Sequence, residues 1–203
     1  MAKIGIDLDN TILCNNKLLY KMAECYVNRK RKGIVFNNGS FIVNKIDINK
    51  FNSKKNIQKN IGERHGFFVN LQPHSHASEV INELREQGND VIIITSRPMM
   101  FMGINVAKNT IYSLNKNKIE YDAIIMGVKD KGLCCSLNNI DVLVDNTFTQ
   151  CIKANEYGIK SIWFNIENSL NNSSDQSYTI KEWTELPGVI DIINEIKEQE
   201  FTK

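Results

Sequence analysis

At 203 residues the chain has room for one domain carrying an insertion, and 42% apolar with 24% charged residues is globular composition, neither disordered nor fibrous. Lys and Arg number 25 against 23 Asp and Glu, and the resulting +2 implies no polyelectrolyte partner such as nucleic acid. Apolar runs reach only four or five residues, as at Val91–Ile94, against the roughly 20 a bilayer span requires, so no membrane segment is expected.

The chain opens Met-Ala-Lys-Ile-Gly-Ile-Asp-Leu-Asp, with an acid by position 7 and no apolar signal core, which makes the cytoplasm the expected location. Five cysteines (Cys14, Cys25, Cys134, Cys135, Cys151), an odd count without a CxxC pair, read as reduced structural thiols and not as a zinc site or a disulfide framework. Ile4, Ile6 and Leu8 predict a strand from residue 3 that runs into Asp7-Leu8-Asp9-Asn10-Thr11.

From Lys17 to Arg64 the character changes, with 12 basic residues against three acids, a local balance of +9. An amphipathic stretch (Leu18, Leu19, Met22, Tyr26) predicts a helix. Ile34-Val35-Phe36, the turn signal Asn37-Asn38-Gly39-Ser40 and Phe41-Ile42-Val43 predict a β-hairpin after it. We read residues 14–65 as an inserted basic cap, and residues 1–13 with 66–203 as the core.

After Pro73, helices alternate with short apolar strands. The spacing predicts a helix through Val80, Ile81 and Leu84 closing at Gly88, a strand Asp90–Thr95, a helix over 104–114 and a strand over 122–126. A short helix after Lys131, a strand over 140–144, a helix over 149–157 closing at Gly158 and a strand over 159–164 follow. The Asn/Ser-rich run between Asn165 and Tyr178 reads as a loop, and beyond Pro187 the residues Val189, Ile192, Ile193 and Ile196 predict a terminal amphipathic helix. Fully apolar strands alternating with helices require a parallel sheet covered on both faces, so the fold class is α/β, a doubly wound Rossmann-like core with a small inserted cap.

In such sheets ligands gather at the carboxyl ends of the strands. Those ends read Asp7-Leu8-Asp9, Thr95-Ser96-Arg97, Lys129-Asp130-Lys131 and Asp145-Asn146. Three carboxylates (Asp7, Asp9, Asp145) gathered without a countercharge repel strongly, which a divalent cation relieves, and oxygen-only ligands favour Mg2+. Thr95, Ser96 and Lys131 add donors suited to phosphate oxygens. Residues i and i+2 of an extended strand share a side, so Asp7 and Asp9 can work together, one carboxylate attacking phosphorus while the other handles the leaving-group and water protons.

Asp7-Leu8-Asp9-Asn10-Thr11, Thr95-Ser96, Lys131 and Asp145 resemble the four motifs of the haloacid dehalogenase-like phosphohydrolase superfamily. Gly66-Phe67-Phe68-Val69-Asn70-Leu71-Gln72-Pro73 and Asn139-Ile-Asp-Val-Leu-Val-Asp145 are similar, more narrowly, to the cytosolic 5′(3′)-deoxyribonucleotidases and their bacterial relatives. The resemblance covers residues 3–13 and about 66–165. It implies Asp7 as nucleophile and Asp9 as general acid/base, with Asp7, Asp9 (through its carbonyl) and Asp145 as Mg2+ ligands. It further implies Asn10, Thr95, Ser96 and Lys131 on the phosphate, and Phe67 and Phe68 beside the substrate. Lys131 is preferred to Lys129 because it follows a Lys-Asp pair and opens a helix. Where the family often has a second acid, the chain has Asn146. The expected substrate is a small phosphorylated molecule, first a (deoxy)nucleoside monophosphate. The alternatives are a sugar phosphate or other metabolite, or a non-catalytic phosphometabolite-binding domain.

Overall fold

The computed structural model describes residues 1–14, 34–37, 40–43, 67–101, 104–166 and 177–201. The predicted helix near residues 18–26 lies outside them. Among the described residues six strands form one parallel sheet in the order β12-β11-β10-β1-β6-β9. These are β1 (Lys3–Asp7), β6 (Asp90–Thr95), β9 (Ala123–Met126), β10 (Val142–Asp145), β11 (Lys160–Phe164) and β12 (Ser177–Ile180). Five α-helices accompany them: α1 (Ala77–Glu86), α2 (Val106–Lys116), α3 (Lys131–Leu137), α4 (Phe148–Glu156) and α5 (Leu186–Phe201).

The strands read as unbroken apolar runs because both faces of the sheet are covered. Ile4, Ile6, Ile93, Val142 and Val144 enter one core with α1 and α5, while the alternate residues Ile92, Ile94 and Leu143 enter a second core with Cys135 of α3 and Ala154 of α4. Burying an aliphatic side chain of this size contributes about 1.5–3 kcal/mol, so a one-residue slip in any of these strands would exchange the two sets and is strongly disfavoured.

Register fixes where the strands end. Ile6 pairs with Val144 on one side of β1, and Asp7 pairs with Ile94 on the other. Asp7, Asp145 and Thr95 therefore come level at the carboxyl edge of three adjacent strands. Shorter pairs complete the fold. β2 (Leu13–Cys14) and β5 (Gln72–Pro73) are antiparallel, drawing the chain before the proposed insert back beside the chain after it. The hairpin of β3 (Ile34–Asn37) and β4 (Ser40–Val43) forms with Phe36 opposite Phe41, as the turn signal predicts. β7 (Met100–Phe101) pairs with β8 (Ile104–Asn105).

Three expectations need correction. β12 begins at Ser177, inside the stretch read as loop; its half-exposed, edge-strand residues resemble the polar run before them. α5 forms with Pro187 in its first turn and with Ile193 and, in part, Val189 against the core as expected, but the inward face also takes Leu186 and Ile190, and Ile192, expected to share it, is 48% exposed. α2 starts two residues late because Asn105 is its N-cap, accepting from Lys108 N, while Ile104 pairs in β8. Gly88 does follow α1 in the left-handed region, at φ 87°. The cysteines among the described residues are free thiols, and no helix there is long and apolar enough to cross a membrane.

Candidate active site

β1 delivers Asp7 to the sheet edge, and the chain then turns tightly. Ile12 N and Leu13 N both donate to Leu8 O, and Asn10, at φ 64°, takes the left-handed conformation that Asn tolerates better than most residues. The turn brings Thr11 back over Asp7, to whose Oδ2 its hydroxyl donates at 2.8 Å, while Asn146 N donates to the same hydroxyl at 3.1 Å. Trp183 Nε1 holds Thr11 O at 3.1 Å and Trp163 Nε1 holds Asn146 O at 3.1 Å, so two indoles from distant elements pin the backbone on either side of the carboxylates.

Lys131 opens α3, whose N-cap is Asp130, accepting from Leu133 N at 3.0 Å. Its buried ammonium donates to both Asp7 Oδ1 and Asp145 Oδ2, and Thr147 N donates to the other oxygen of Asp145 at 2.7 Å. The acids of the first and fourth motifs are thus close enough to share one ammonium across 138 positions of sequence. Lys129 is exposed and meets Gln150 only through its carbonyl, which separates the two candidate lysines by placement. Burial, reinforced by the charge of Asp145, pushes the Asp7 carboxyl up to about 7, with Lys131 pulling the other way. Burial by itself would lower the Lys131 ammonium, yet the charges of Asp7 and Asp145 outweigh it and hold the group above its ordinary value.

Arg97 was not among the residues singled out. It follows Thr95-Ser96 directly and is 4% exposed. Its Nε and Nη2 donate to the two oxygens of Asp9 at 2.7 and 2.6 Å, its Nη1 donates to Thr110 Oγ1 at 3.0 Å, and its backbone N donates to Thr95 Oγ1 at 3.2 Å. The Phe68 ring lies 4.3 Å from the guanidinium carbon, and Phe68 itself is 7% exposed. Its burial under Arg97 suits support of that guanidinium better than presentation of an open stacking face. For Phe67 the structure gives the backbone, in a 3-10 turn with Phe68 and Val69. Thr95 is buried, Ser96 exposed and Asn10 half-buried, all at the same edge.

The premise that three acids meet without a countercharge is therefore revised: Asp7 and Asp145 share Lys131, and Asp9 has Arg97. Two buried carboxylates against one ammonium still leave one negative charge in excess. The carboxylate oxygens of Asp7 and Asp145, which meet there, are hard donors of the kind Mg2+ takes. Among the described residues no three His, Cys, Asp or Glu are gathered where they could hold a metal ion.

The family model described as 5′ nucleotidase, deoxy (Pyrimidine), cytosolic type C protein matches residues 1–198. The chain belongs to this family. It is a haloacid dehalogenase-type phosphohydrolase. The fold is shared with solved structures of low identity. A predicted phosphoglycolate phosphatase from Haemophilus somnus 129pt aligns with TM-score 0.66 at 13% identity, over 94% of this chain and 98% of its own. The haloacid dehalogenase-like protein SP0104 from Streptococcus pneumoniae gives 0.60 at 14%, over 94% and 98%. YfnB from Bacillus subtilis, described as a haloacid dehalogenase-type hydrolase bound to magnesium, gives 0.63 at 11%, over 94% and 98%. The sequence matches no curated protein.

Proposed function

We propose that this family member is a Mg2+-dependent phosphomonoesterase acting through an aspartyl-phosphate on Asp7, with a (deoxy)nucleoside 5′-monophosphate as substrate. The observation that carries the reading is Asp7 itself, a buried carboxylate at the end of the central strand, gripped by Lys131 and Thr11 and level with Asp145. Magnesium, held by Asp7, Asp145 and the Asp9 carbonyl, would offset the negative charge of the phosphoryl oxygens. In the chain's own chemistry, an Asp7 oxygen attacks phosphorus while the bond to the ester oxygen breaks, and the Asp9 carboxylate relays to that oxygen the proton brought by the monoanionic phosphoryl group. Asp9, again a carboxylate, takes a proton from water as the water displaces Asp7 and releases inorganic phosphate, to which the proton returns. Thr95, Ser96, Asn10 and Lys131 bind the phosphate. Lys131 is the group that can move from the carboxylate pair to the arriving oxygens without leaving the site.

The nucleotide assignment is supported by the family description and by the +9 balance of residues 17–64, which suits a cap that draws anionic esters in and excludes water over them. Phe67, whose neighbour Phe68 is occupied by Arg97, is the better candidate of the two for the base. The test is phosphate release from a panel of nucleoside monophosphates and sugar phosphates, with Mg2+ and with EDTA. Nucleotides should lead in kcat/KM, EDTA should stop turnover, and Asp7→Asn, nearly isosteric, should abolish it in a folded protein. A sugar phosphate ranking first would overturn the nucleotidase assignment; no release from any ester would leave a phosphometabolite-binding domain.

A further inference from the structure

We propose that Arg97 is a positioning residue for Asp9, and that the assembly Phe68–Arg97–Thr110 exists to aim the carboxylate that protonates the leaving group. The inference deepens the phosphomonoesterase reading and rests on it. A guanidinium is a rigid planar fork with donors only, so when two of its N–H groups meet both oxygens of one carboxylate they fix the distance and the plane of that carboxylate together. Arg97 meets Asp9 in this way, at 2.6 and 2.7 Å. A fork positions its partner only if it is itself held. Arg97 is held on three sides: Nη1 on the Thr110 hydroxyl of α2, the flat face against the Phe68 ring, and the backbone N–H on the Thr95 hydroxyl at the end of β6. The side chain of Arg97 is 3% exposed while that of Asp9 is 24% exposed, so the buried partner is the support and the accessible one faces the solvent from which an ester arrives.

A solvated surface ion pair needs none of this. Removing an arginine from water, stacking it and satisfying a third nitrogen on a buried hydroxyl is worthwhile where the orientation of its partner matters. Asp9 follows β1 in a tight turn whose half-buried residue Asn10 has left-handed backbone, and a short carboxylate on such a turn has more than one rotamer open to it. The Arg97 fork selects one. In the reaction the ester P–O bond breaks as the Asp7 O–P bond forms, and Asp9, a carboxylate at rest beside Arg97, takes the proton of the monoanionic phosphoryl group and hands it to the departing oxygen. A misaimed Asp9 therefore penalises esters whose leaving group must be protonated and spares those whose leaving group departs as a stable anion.

That asymmetry is the test. Wild-type, Arg97→Lys and Arg97→Gln proteins are compared on a nucleoside 5′-monophosphate, whose alkoxide needs a proton, and on p-nitrophenyl phosphate, whose phenolate does not, with kcat/KM read because it reports the first chemical step. General acid catalysis contributes about 100- to 10,000-fold. Arg97→Gln should lower kcat/KM for the nucleotide roughly 30- to 100-fold more than for the aryl ester, with the loss in kcat and not in KM, and Arg97→Lys should fall between. Should these variants not fold, Thr110→Val, which removes one support and leaves the fork, should shift the same ratio in the same direction by about 3- to 10-fold. Equal losses on both esters, or a loss confined to KM, would overturn the assignment and make Arg97 a structural or phosphate-binding residue. A wild-type protein that cleaves neither ester would overturn the phosphomonoesterase reading, and this inference with it.

Discussion

Lys131 has work at this site beyond the phosphate contact proposed for it. Among the described residues its ammonium is the countercharge in contact with Asp7 and Asp145, both buried with it. Removing one member of a buried charge set strands the others, at a cost of about 3–5 kcal/mol. Lys131→Met, similar in length and apolar, should therefore destabilise the protein by that amount at pH 8. The loss depends on pH with a definite sign. Asp7 already titrates above its unfolded value of 3.8, and Lys131 is one of the influences holding it down, so without the lysine it rises further. A carboxyl with a raised folded pKa favours the folded state at low pH and forfeits that contribution as pH climbs through the folded value. The deficit of Lys131→Met should accordingly shrink by on the order of 1–2 kcal/mol at pH 5. Urea denaturation at the two pH values checks this, and an equal deficit at both would show that Lys131 does not neutralise Asp7.

What places Lys131 there is the packing of α3 on α4. Gly132, the next residue, sits so close to α4 that an added Cβ would lie 2.7 Å from Lys153 O and 2.9 Å from Ala154 N, backbone atoms that cannot swing aside. Gly132→Ala should cost about 1–3 kcal/mol in urea denaturation and depress kcat as well, since the helix that must retreat carries the lysine. A variant as stable and active as wild type would show that the two helices part freely. The glycine's meaning was invisible from its neighbours in sequence, because the atoms it avoids come from a helix about 20 positions on. β6, β9 and β10 were legible because cover on both faces makes them apolar almost without interruption, whereas the half-exposed β12 was not; the ends of α1 and α4 were legible because Gly88 and Gly158 mark them. The pairing of Asp9 with Arg97 was not: the partners stand 88 positions apart, and a lone Arg in a sequence reads as a solvated charge. For α5 the spacing found the helix but not the whole of its inward face: Ile192 and Ile193 are neighbours in sequence, and only Ile193 is buried.

The same sheet register that makes the core also concentrates charge at one edge, because β1, β6 and β10 are neighbours whose ends are level. With Asp7 pushed up to about 7 mainly by burial, going from pH 8 to pH 6 moves the carboxyl from the ionised form, which a cation would stabilise, toward the protonated form. The contribution of Asp7 to folding thus declines as pH rises through about 7, and an ion bound by the ionised form restores it. An ion at 100 times its Kd stabilises the folded state by about 2.7 kcal/mol, which for a chain of this length is a rise in Tm of roughly 5–10 °C. Differential scanning calorimetry with Mg2+ against EDTA should show a rise of that size at pH 8 and a distinctly smaller one at pH 6, where proton and metal compete for the same oxygens. In Asp7→Asn, which cannot ionise, the difference between the two pH values should vanish. A magnesium increment that is equal at both pH values in the wild type, or larger at pH 6, would mean that the ion binds elsewhere and that Asp7 is not among its ligands.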